Sequence, residues 1–205
     1  MFGCVPICFY FCREKNKLDM ERYIKEIGKI GVGMLERPDR NGKVQYLQLK
    51  HFDEERRFMG GDIELVATSR QVLEEGEVLF AAKGDKNFAV VYTKEMGPAV
   101  ASPSFLVIKT DVAVVLPGYL AWYLNHPDVT RELRILATGT NIKSISKKVL
   151  ECFKIRVPSL GCQQEIIGLN DLFCREMEAE KKLGVRKAAY RNAYLMDMTK
   201  EKKDE

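Results

Sequence analysis

The feature that most constrains the fold is a long, highly charged helical pattern that runs from Gln163 to about Met196. At about 1.5 Å rise per residue it predicts a helix on the order of 50 Å long, which is more than one small domain covers. A helix of this kind usually packs on a partner helix. Gly168 and Gly184 weaken the pattern, and its heptad register is poor. The apolar stripe expected to form the contact comprises Ile166, Leu169, Phe173, Met177, Leu183, Tyr190 and Tyr194.

The segment Ala137–Ile166 leads into this helix and contains the polar and basic side chains that bear most on function. It opens with the small polar loop Thr138–Asn141 and continues with a basic helix start. Apolar and basic residues then alternate over Phe153–Val157, which is the period of a half-buried strand, and Pro158 ends that strand. Basic residues outnumber acidic ones by seven to two between Arg131 and Arg156. Small hydrogen-bond donors beside positive charge favour contact with phosphates and base edges, although a solvated loop fits the same pattern.

The composition is that of a globular protein with one ordinary domain and an added element. The chain has 205 residues, 46% of them hydrophobic, and a net charge of +4 that does not by itself indicate nucleic acid. Six cysteines form no C-x-x-C pair, and we expect reduced thiols and a cytoplasmic location. Cys4, Cys8 and Cys12 have a spacing that suits a metal, but no histidine accompanies them, so we predict no metal site.

Four regions follow from these patterns. Residues 1–19 are an apolar N-terminal extension, which is either membrane-seeking or, as we favour, not native, with Met20 as the true start. The apolar run is too short to span a bilayer, and no membrane association is expected. Residues 20–162 form the main domain, 163–198 a long spacer or dimerisation helix, and 199–205 a charged tail.

Within the domain, the clearest signal is a hairpin. Strands Val78–Ala82 and Phe88–Tyr92 flank the compact polar turn Lys83–Asn87. More strand is predicted at Val44–Leu49, Ile63–Val66, Ala99–Ser102 and Phe105–Ile108, and His51–Arg57 is expected to be exposed. Helices are predicted over Tyr119–Asn125 and over Val129–Leu136, with Asp128 as the cap of the second.

Motifs for catalysis are missing from the sequence. There is neither a G-x-S-x-G elbow, an H-E-x-x-H motif nor a phosphate-binding P-loop. The segment Gly28–Gly33 is a fragment of a glycine-rich pattern without a strong strand before it, so it is a weak dinucleotide site. We interpret His126 as a capping or surface histidine. The sequence favours a binding module over an enzyme, and no cofactor is predicted.

Four blocks in fixed order resemble one target recognition domain of the DNA specificity subunit of type I restriction–modification systems. They are LEEGEVLFAAKGDKNFAVVY (Leu73–Tyr92), ASPSFLVIK (Ala101–Lys109), LPGYLAWYLNHPDVTRELRILATGTNIKSISKKVL (Leu116–Leu150) and FKIRVPSLGCQQEII (Phe153–Ile167). The resemblance extends over about Met20 to Met196. It departs from the family at Pro158–Gln163, where a second proline and an acidic residue are absent.

The resemblance implies an α/β (α+β) fold with a twisted, mostly antiparallel sheet followed by a long coiled-coil-type helix. Family members read each half of a split DNA target with one such domain, and two long helices pair as an antiparallel spacer. One domain and one helix make this chain similar to a half-subunit, so we expect a homodimer or pairing with another half-subunit. The implied partners are double-stranded DNA, a methyltransferase subunit and a restriction subunit, and any S-adenosylmethionine or ATP belongs to those partners.

Loop position, donor chemistry and nearby positive charge select the candidate DNA-binding residues. They are Lys83, Lys86, Asn87, Ser102, Ser104, Thr138, Thr140, Asn141, Lys143 and Ser144. Asparagine side chains suit adenine edges, and lysines suit phosphates or guanine. The alternatives are a nuclease or methyltransferase fragment, a protein-interaction module that binds the methyltransferase through the long helix without reading DNA, and a silent recognition cassette.

Overall fold

The computed structural model describes residues 20–60, 63–67, 70–84, 87–139 and 143–199. The chain divides into two compact units after Gln164, so the first unit holds every strand named below and the second holds most of the last helix. Cys4, Cys8 and Cys12 lie outside the described residues. In the described part of the chain, no helix combines the length and apolar character needed to cross a membrane.

Nine strands and five α-helices make up the described fold. The strands are β1 (Met20–Tyr23), β2 (Gly28–Val32), β3 (Val44–Leu47), β4 (Leu65–Val66), β5 (Val78–Ala81), β6 (Ala89–Val91), β7 (Ala99–Ala101), β8 (Phe105–Thr110) and β9 (Lys154–Val157). The helices are α1 (Ile24–Ile27), α2 (Pro117–Asn125), α3 (Pro127–Leu136), α4 (Lys147–Glu151) and α5 (Leu160–Met198).

Three small sheets organise the strands. The largest has the order β2-β8-β5-β6, a second has the order β4-β3-β7, and β1 pairs with β9. Every described pairing is antiparallel except that of β3 with β7, which is parallel. The predicted α+β class, with a mostly antiparallel sheet and a long final helix, is therefore confirmed.

The core lies around the four-stranded sheet. All four residues of β5 are buried, and Phe105 and Ile108 of β8 are fully enclosed beside them. Helix α2 packs on β5 and β6 and buries Leu120 and Leu124 there. Burying a large apolar side chain stabilises a fold by about 1.5–3 kcal/mol, so this cluster is the main source of stability in the first unit.

Local patterns predict several of these elements correctly. The hairpin is formed by β5 and β6, with Val78 opposite Val91. The basic residues of β9 face outward while Ile155 and Val157 are buried, as the alternation predicts. Helix α2 ends at the predicted Asn125 and begins at Pro117, two residues before the predicted start, and Pro158 follows directly after β9.

Three local expectations are wrong. Asp128 is not the cap of α3: the helix begins at Pro127, and the imidazole Nδ1 of His126 accepts the capping hydrogen bond from the Asp128 N–H at 3.3 Å. The segment His51–Arg57 is not uniformly exposed, because His51 and Phe52 are buried. The long helix begins at Leu160, three residues before the predicted start.

Helix α5 is continuous through both of its interior glycines. Its 39 residues correspond to about 58 Å of rise. In the second unit most apolar side chains of the helix lie open to solvent, with Phe173 59% and Tyr190 75% exposed. A helix with so much uncovered apolar surface lacks the contacts that normally stabilise it.

Candidate nucleic-acid interface

Two polar segments that are about 60 residues apart in sequence meet at the turn of the β5–β6 hairpin. Lys83 and Ser144 form an isolated antiparallel bridge. Next to it, the Ile145 N–H donates a hydrogen bond to the Ala82 carbonyl at 2.8 Å. Ile145 is buried, so the bridge is anchored in the core and holds the two segments at a fixed separation.

A third polar segment joins the same end of the sheet. The Ala82 N–H donates to the Ser104 carbonyl at 2.9 Å, in the short turn between β7 and β8. That turn is closed by a hydrogen bond from the Phe105 N–H to the Ser102 carbonyl at 3.0 Å. The structure thus brings together the three regions that supply the candidate DNA-binding residues, and it does so through backbone contacts that do not depend on their side chains.

The loop between α3 and α4 is closed by its own pair of hydrogen bonds. Thr138 and Ser144 exchange them, at 3.0 Å from the Thr138 N–H and 2.8 Å from the Ser144 N–H. Gly139, with φ of 118°, adopts a backbone conformation that side-chain-bearing residues rarely tolerate. Thr138 and Ser144 therefore close the loop at its base.

An aromatic cluster lies beneath the hairpin turn. The ring of Phe52 is 5.7 Å from the rings of both Phe88 and Phe105, and 5.9 Å from that of Phe58, measured between centroids. Phe88 and Phe105 directly follow the candidate residues Asn87 and Ser104 in sequence. Tilted and edge-to-face aromatic contacts of this kind rigidify their surroundings, so the cluster supports the base of the candidate surface.

Two lysines give this end of the domain its positive charge. Lys83 and Lys143 are exposed, and the backbone of the second accepts a hydrogen bond from the Gly84 N–H at 3.2 Å. Within the described residues, neither lysine forms an ion pair with a carboxylate. Helix α4 adds Lys147 and Lys148, the first of which lies 3.6 Å from Glu151. Unpaired ammonium groups beside backbone donors suit phosphate oxygens.

The candidate residues differ in how accessible they are. Lys83, Thr138 and Lys143 are exposed, and Asn87, Ser104 and Ser144 are half-buried. The Asn87 amide donates a hydrogen bond to the Ala81 carbonyl at 2.8 Å, so its donor is engaged inside the domain. Ser102 is buried, and its Oγ has no hydrogen-bond partner among the described residues. The remaining candidates, Lys86, Thr140 and Asn141, lie outside the described residues.

The candidate partner residues all lie on α5, in the second unit. Ile166 is half-buried, whereas Leu169, Phe173, Met177, Leu183, Tyr190 and Tyr194 are exposed. Among the described residues, no group of three or more histidine, cysteine, aspartate or glutamate side chains is placed to hold a metal ion.

Three residues that hold the first unit together are not among the sequence-based candidates. Phe52 lies in a charged segment that is predicted to be exposed. Asn125 is predicted only as the last residue of a helix. Asn125 forms two hydrogen bonds with the edge strand β6. Its Oδ1 accepts from the Ala89 N–H at 2.9 Å, and its Nδ2 donates to the Ala89 carbonyl at 2.7 Å. Gln163 is fully buried at the start of α5. Of these three residues, only Gln163 could have been identified from the sequence, because it occupies the glutamine position of the family-like block Phe153–Ile167.

His51, which directly precedes Phe52, is buried. Its Nδ1 accepts a hydrogen bond from the Gln48 N–H at 3.0 Å. Burial, and secondarily the nearby Lys50 ammonium, lowers the pKa of His51 below its ordinary value, while Glu64 acts in the opposite direction. The imidazole therefore has a structural role as a neutral acceptor.

Comparison with models of protein families and with curated proteins gives no match. Solved structures do match. One is the S subunit of a type I restriction–modification system from M. genitalium, with 18% identity and a TM-score of 0.56; the match covers 78% of this chain and 40% of that chain. Another is the HsdS subunit from Thermoanaerobacter tengcongensis, with 14% identity and a TM-score of 0.60; the match covers 80% of this chain and 40% of that chain. A third matched structure comes from work on complex assembly and conformational transition of the type I R-M system. It has 17% identity and a TM-score of 0.53, and the match covers 80% of this chain and 40% of that chain.

These comparisons establish the fold. About four fifths of the chain superimposes on each structure, while the chain spans about two fifths of the length of each protein it matches. The expected resemblance to type I specificity subunits is confirmed at the level of fold, including the long helix that follows the domain.

Proposed function

We propose that this chain is a non-catalytic DNA sequence-recognition subunit of a type I restriction–modification system. In this proposal the first unit reads one half of a split target, and α5 supplies the spacing to a second recognition domain. The chain then docks the methyltransferase subunit, and in restriction mode the restriction subunit, and those partners bring the cofactors and the chemistry.

The observation that carries the proposal is the convergence at the hairpin turn. Lys83 and Ser144 are paired there, Ser104 joins through Ala82, and Lys143 lies beside Gly84. Phosphate contacts need positive charge on a rigid support, and base readout needs small polar groups on loops close to it. Both are found at one end of one sheet. The shared fold with S subunits adds independent support.

Among the exposed residues, Lys83 and Lys143 are assigned to phosphate contacts and Thr138 to a polar contact near the bases. The loop tip Thr140–Asn141 and the turn residue Lys86 remain predicted DNA contacts. Ser102 is buried, so it would first have to become accessible, and Asn87 would have to release Ala81 before its amide could donate to a base. Those two assignments are the weakest members of the predicted set.

A second candidate function rests on the exposed stripe of α5. A protein-interaction module would bind the methyltransferase through this helix and show no DNA sequence preference. A silent recognition cassette would have the same residues and fold but would not act in the cell. Both alternatives keep the helix and remove the DNA contact.

Methylome sequencing separates these functions. The chain is co-expressed with a type I methyltransferase subunit, and adenine methylation is mapped across the host genome. A new split methylated motif is expected, and it must disappear when the lysines at the hairpin turn and loop are replaced by alanine. A soluble chain that binds the methyltransferase but leaves every methylation pattern unchanged would rule out the DNA-reading function.

A further inference from the structure

Helix α3 is attached to the hairpin-turn end of the sheet at both of its ends. It begins two residues after Asn125, whose side chain forms two hydrogen bonds with Ala89 at the start of β6. It ends two residues before Thr138, which pairs with Ser144. Ser144 in turn forms the bridge with Lys83. Since both attachments lie at the hairpin turn, α3 lies across the same end of the sheet as the candidate interface.

One side of α3 packs on the domain, and the opposite side faces solvent. The buried residues of the helix are Val129 and Leu133, which are about one turn apart. Arg131 and Ile135 are also about one turn apart, and both are exposed. They lie about 200° around the helix axis from the buried pair, because each residue turns an α-helix by about 100°. Arg131 and Ile135 therefore point away from the domain at the end that carries the candidate interface.

The aliphatic side chain of Ile135 lies where the fold of the chain gains nothing from it. It is 77% exposed, and isoleucine is a poorer helix former than alanine, so neither burial nor helix propensity favours it there. A single exposed aliphatic residue is ordinary on a protein surface, so its position is what matters. Ile135 precedes Thr138 by three residues, which places their Cα atoms no more than about 11 Å apart. Along the chain, Ile135 is the outward-facing residue of α3 nearest to the candidate interface.

We propose that α3 enters the major groove of the target and that Ile135 reads a thymine through the 5-methyl group of its base. This inference deepens the proposed function and rests on it for the DNA. The major groove is about 12 Å wide and admits an α-helix. The ten residues of α3 correspond to about 15 Å of rise, so the helix is short enough to lie in the groove. Thymine is the base that presents a methyl group there, and an exposed aliphatic side chain is the complement of that group.

The neighbours of Ile135 favour DNA over an apolar protein surface as its partner. Leu136 beside it is 46% exposed, so two aliphatic residues stand together at the end of the helix. Exposed cations surround them: Arg131 lies one turn back on α3, and Lys143 and Lys83 lie on the adjoining loop and turn. The core of a protein–protein interface is depleted of charged residues, whereas a nucleic acid needs cations beside the groups that contact its bases.

The acidic residues of α3 are compatible with this placement. Asp128 lies on the outward face, and the Arg131 guanidinium donates a hydrogen bond to its carboxylate at 3.1 Å, so that charge is neutralised on the helix itself. With Glu132 and Arg134, the helix carries two acidic and two basic residues. The helix is therefore neutral, and the attraction for phosphates comes from the lysines of the loop and the hairpin turn. Helix α3 contributes contacts to the bases.

The test uses duplexes in which deoxyuridine replaces thymine, because this change removes the methyl group and nothing else. The chain is purified in complex with the methyltransferase subunit, and fluorescence anisotropy gives its affinity for the motif found by methylome sequencing. An adenine-methylated motif contains a thymine opposite every adenine, and each thymine is replaced in turn. One replacement is expected to lower the affinity about fourfold, which corresponds to the roughly 0.8 kcal/mol gained by burying one group of that size.

Ile135→Ala is expected to abolish this dependence, so that thymine and uracil at that position bind alike. Val112→Ala is the matched control. Val112 is a β-branched residue of the same unit and is 61% exposed, but it follows β8 at the end opposite Phe105, which is paired with Ala81 next to the hairpin turn. This variant is expected to keep the full fourfold difference. Circular dichroism of both variants checks that the fold is retained.

Each outcome decides the inference. If the unchanged complex prefers its motif but no replacement of thymine by uracil lowers the affinity, the inference is wrong and the proposed function stands. If the dependence on the methyl group persists in Ile135→Ala, another residue makes the contact. An equal loss for thymine and uracil duplexes in that variant would show that Ile135 acts on the structure or on the protein partner and not on a base. An unchanged complex with no sequence preference would remove the proposed function and the inference together.

Discussion

The side-chain carbonyl of Gln163 accepts a hydrogen bond from the backbone N–H of Leu116 at 2.8 Å. Its amide nitrogen donates to the carbonyls of Val114 and Pro158, each at 2.9 Å. Gln163 is fully buried and its three partners are half-buried, so one side chain satisfies three partly enclosed backbone groups. These contacts join the start of α5 to the end of β9 and to the segment that enters α2.

Replacing Gln163 by alanine is expected to lower the free energy of unfolding by about 3 kcal/mol. The half-buried Leu116 N–H would lose its partner, and an unsatisfied buried group costs about 1–3 kcal/mol before the two carbonyls are considered. Urea unfolding followed by tryptophan fluorescence measures the change, since Trp122 lies on α2. The exposed neighbour Gln164→Ala is the control. A loss under about 0.5 kcal/mol, the level typical of surface positions, would show that water replaces the amide.

Replacing Asn125 by alanine is expected to loosen the edge strand β6. The two hydrogen bonds to Ala89 substitute for those of a neighbouring strand, so their loss exposes one unpaired donor and one unpaired acceptor. The expected destabilisation is about 2 kcal/mol. Amide hydrogen exchange at Ala89 reports the same change locally. Asn125→Asp keeps the acceptor for the Ala89 N–H but places a second carboxylate oxygen against the Ala89 carbonyl, so it is expected to be no better tolerated than alanine at neutral pH. Stability and exchange at Ala89 that match those of the unchanged chain in both variants would show that the edge strand does not depend on Asn125.

Replacing Lys83 or Lys143 by alanine is expected to weaken DNA binding for every sequence. A lost phosphate contact reduces the slope of log affinity against log salt concentration by about one for each lysine. Fluorescence anisotropy with a duplex that carries the methylated motif, measured over a salt series, gives both quantities. A random duplex tests whether the loss is independent of sequence.

Lys94→Ala is the matched control for those two lysines. Lys94 is an exposed lysine of the same unit, but it follows β6 at the end opposite the hairpin turn and pairs with Glu75 at 2.6 Å. Its replacement is expected to leave the salt slope unchanged. Equal slopes for all three variants would place the DNA-binding surface elsewhere on the domain.

The sequence predicts those parts of the fold that depend on neighbours in the chain. The β5–β6 hairpin follows from two alternating apolar runs around a polar turn, and the strand Lys154–Val157 follows from its alternation and from Pro158. The same holds for α2, whose apolar residues recur at helical spacing. In each case the pattern that predicts the element also buries it, so local and tertiary preferences agree.

Contacts between distant residues explain what the sequence did not reveal. Phe52 stands among charged residues, and its burial depends on Phe88 and Phe105, which lie 36 and 53 positions further along the chain. The cap of α3 is a local exception: aspartate is the commoner capping residue, so the sequence predicts Asp128, yet the His126 imidazole occupies that place. The meeting of Lys83 with Ser144 likewise depends on pairing that no local pattern encodes.

Acidification is expected to destabilise the domain through His51. The pKa of this buried imidazole is lowered in the folded state, chiefly by burial and next by Lys50, whereas the unfolded chain has a pKa of about 6.5. Below about pH 6.5 the unfolded state therefore binds a proton that the folded state excludes. The stabilisation from a neutral His51 is complete above that pH and is lost as the pH falls towards the lower folded value. The limiting slope is about 1.4 kcal/mol per pH unit.

Urea unfolding of the unchanged chain and of His51→Gln between about pH 7.5 and pH 5 measures this loss across the range where histidine titrates. Glutamine cannot titrate there, and its carbonyl can accept the hydrogen bond from Gln48 that Nδ1 now accepts. The variant is expected to be less stable at neutral pH, because its side chain fits the site less well, and to lose less stability on acidification. The two curves should therefore converge as the pH falls. A His126→Gln variant retains His51 and is expected to keep the acid loss. Parallel curves for the unchanged chain and His51→Gln would mean that His51 takes up a proton without cost in the folded domain, and hence that it is not held neutral by burial.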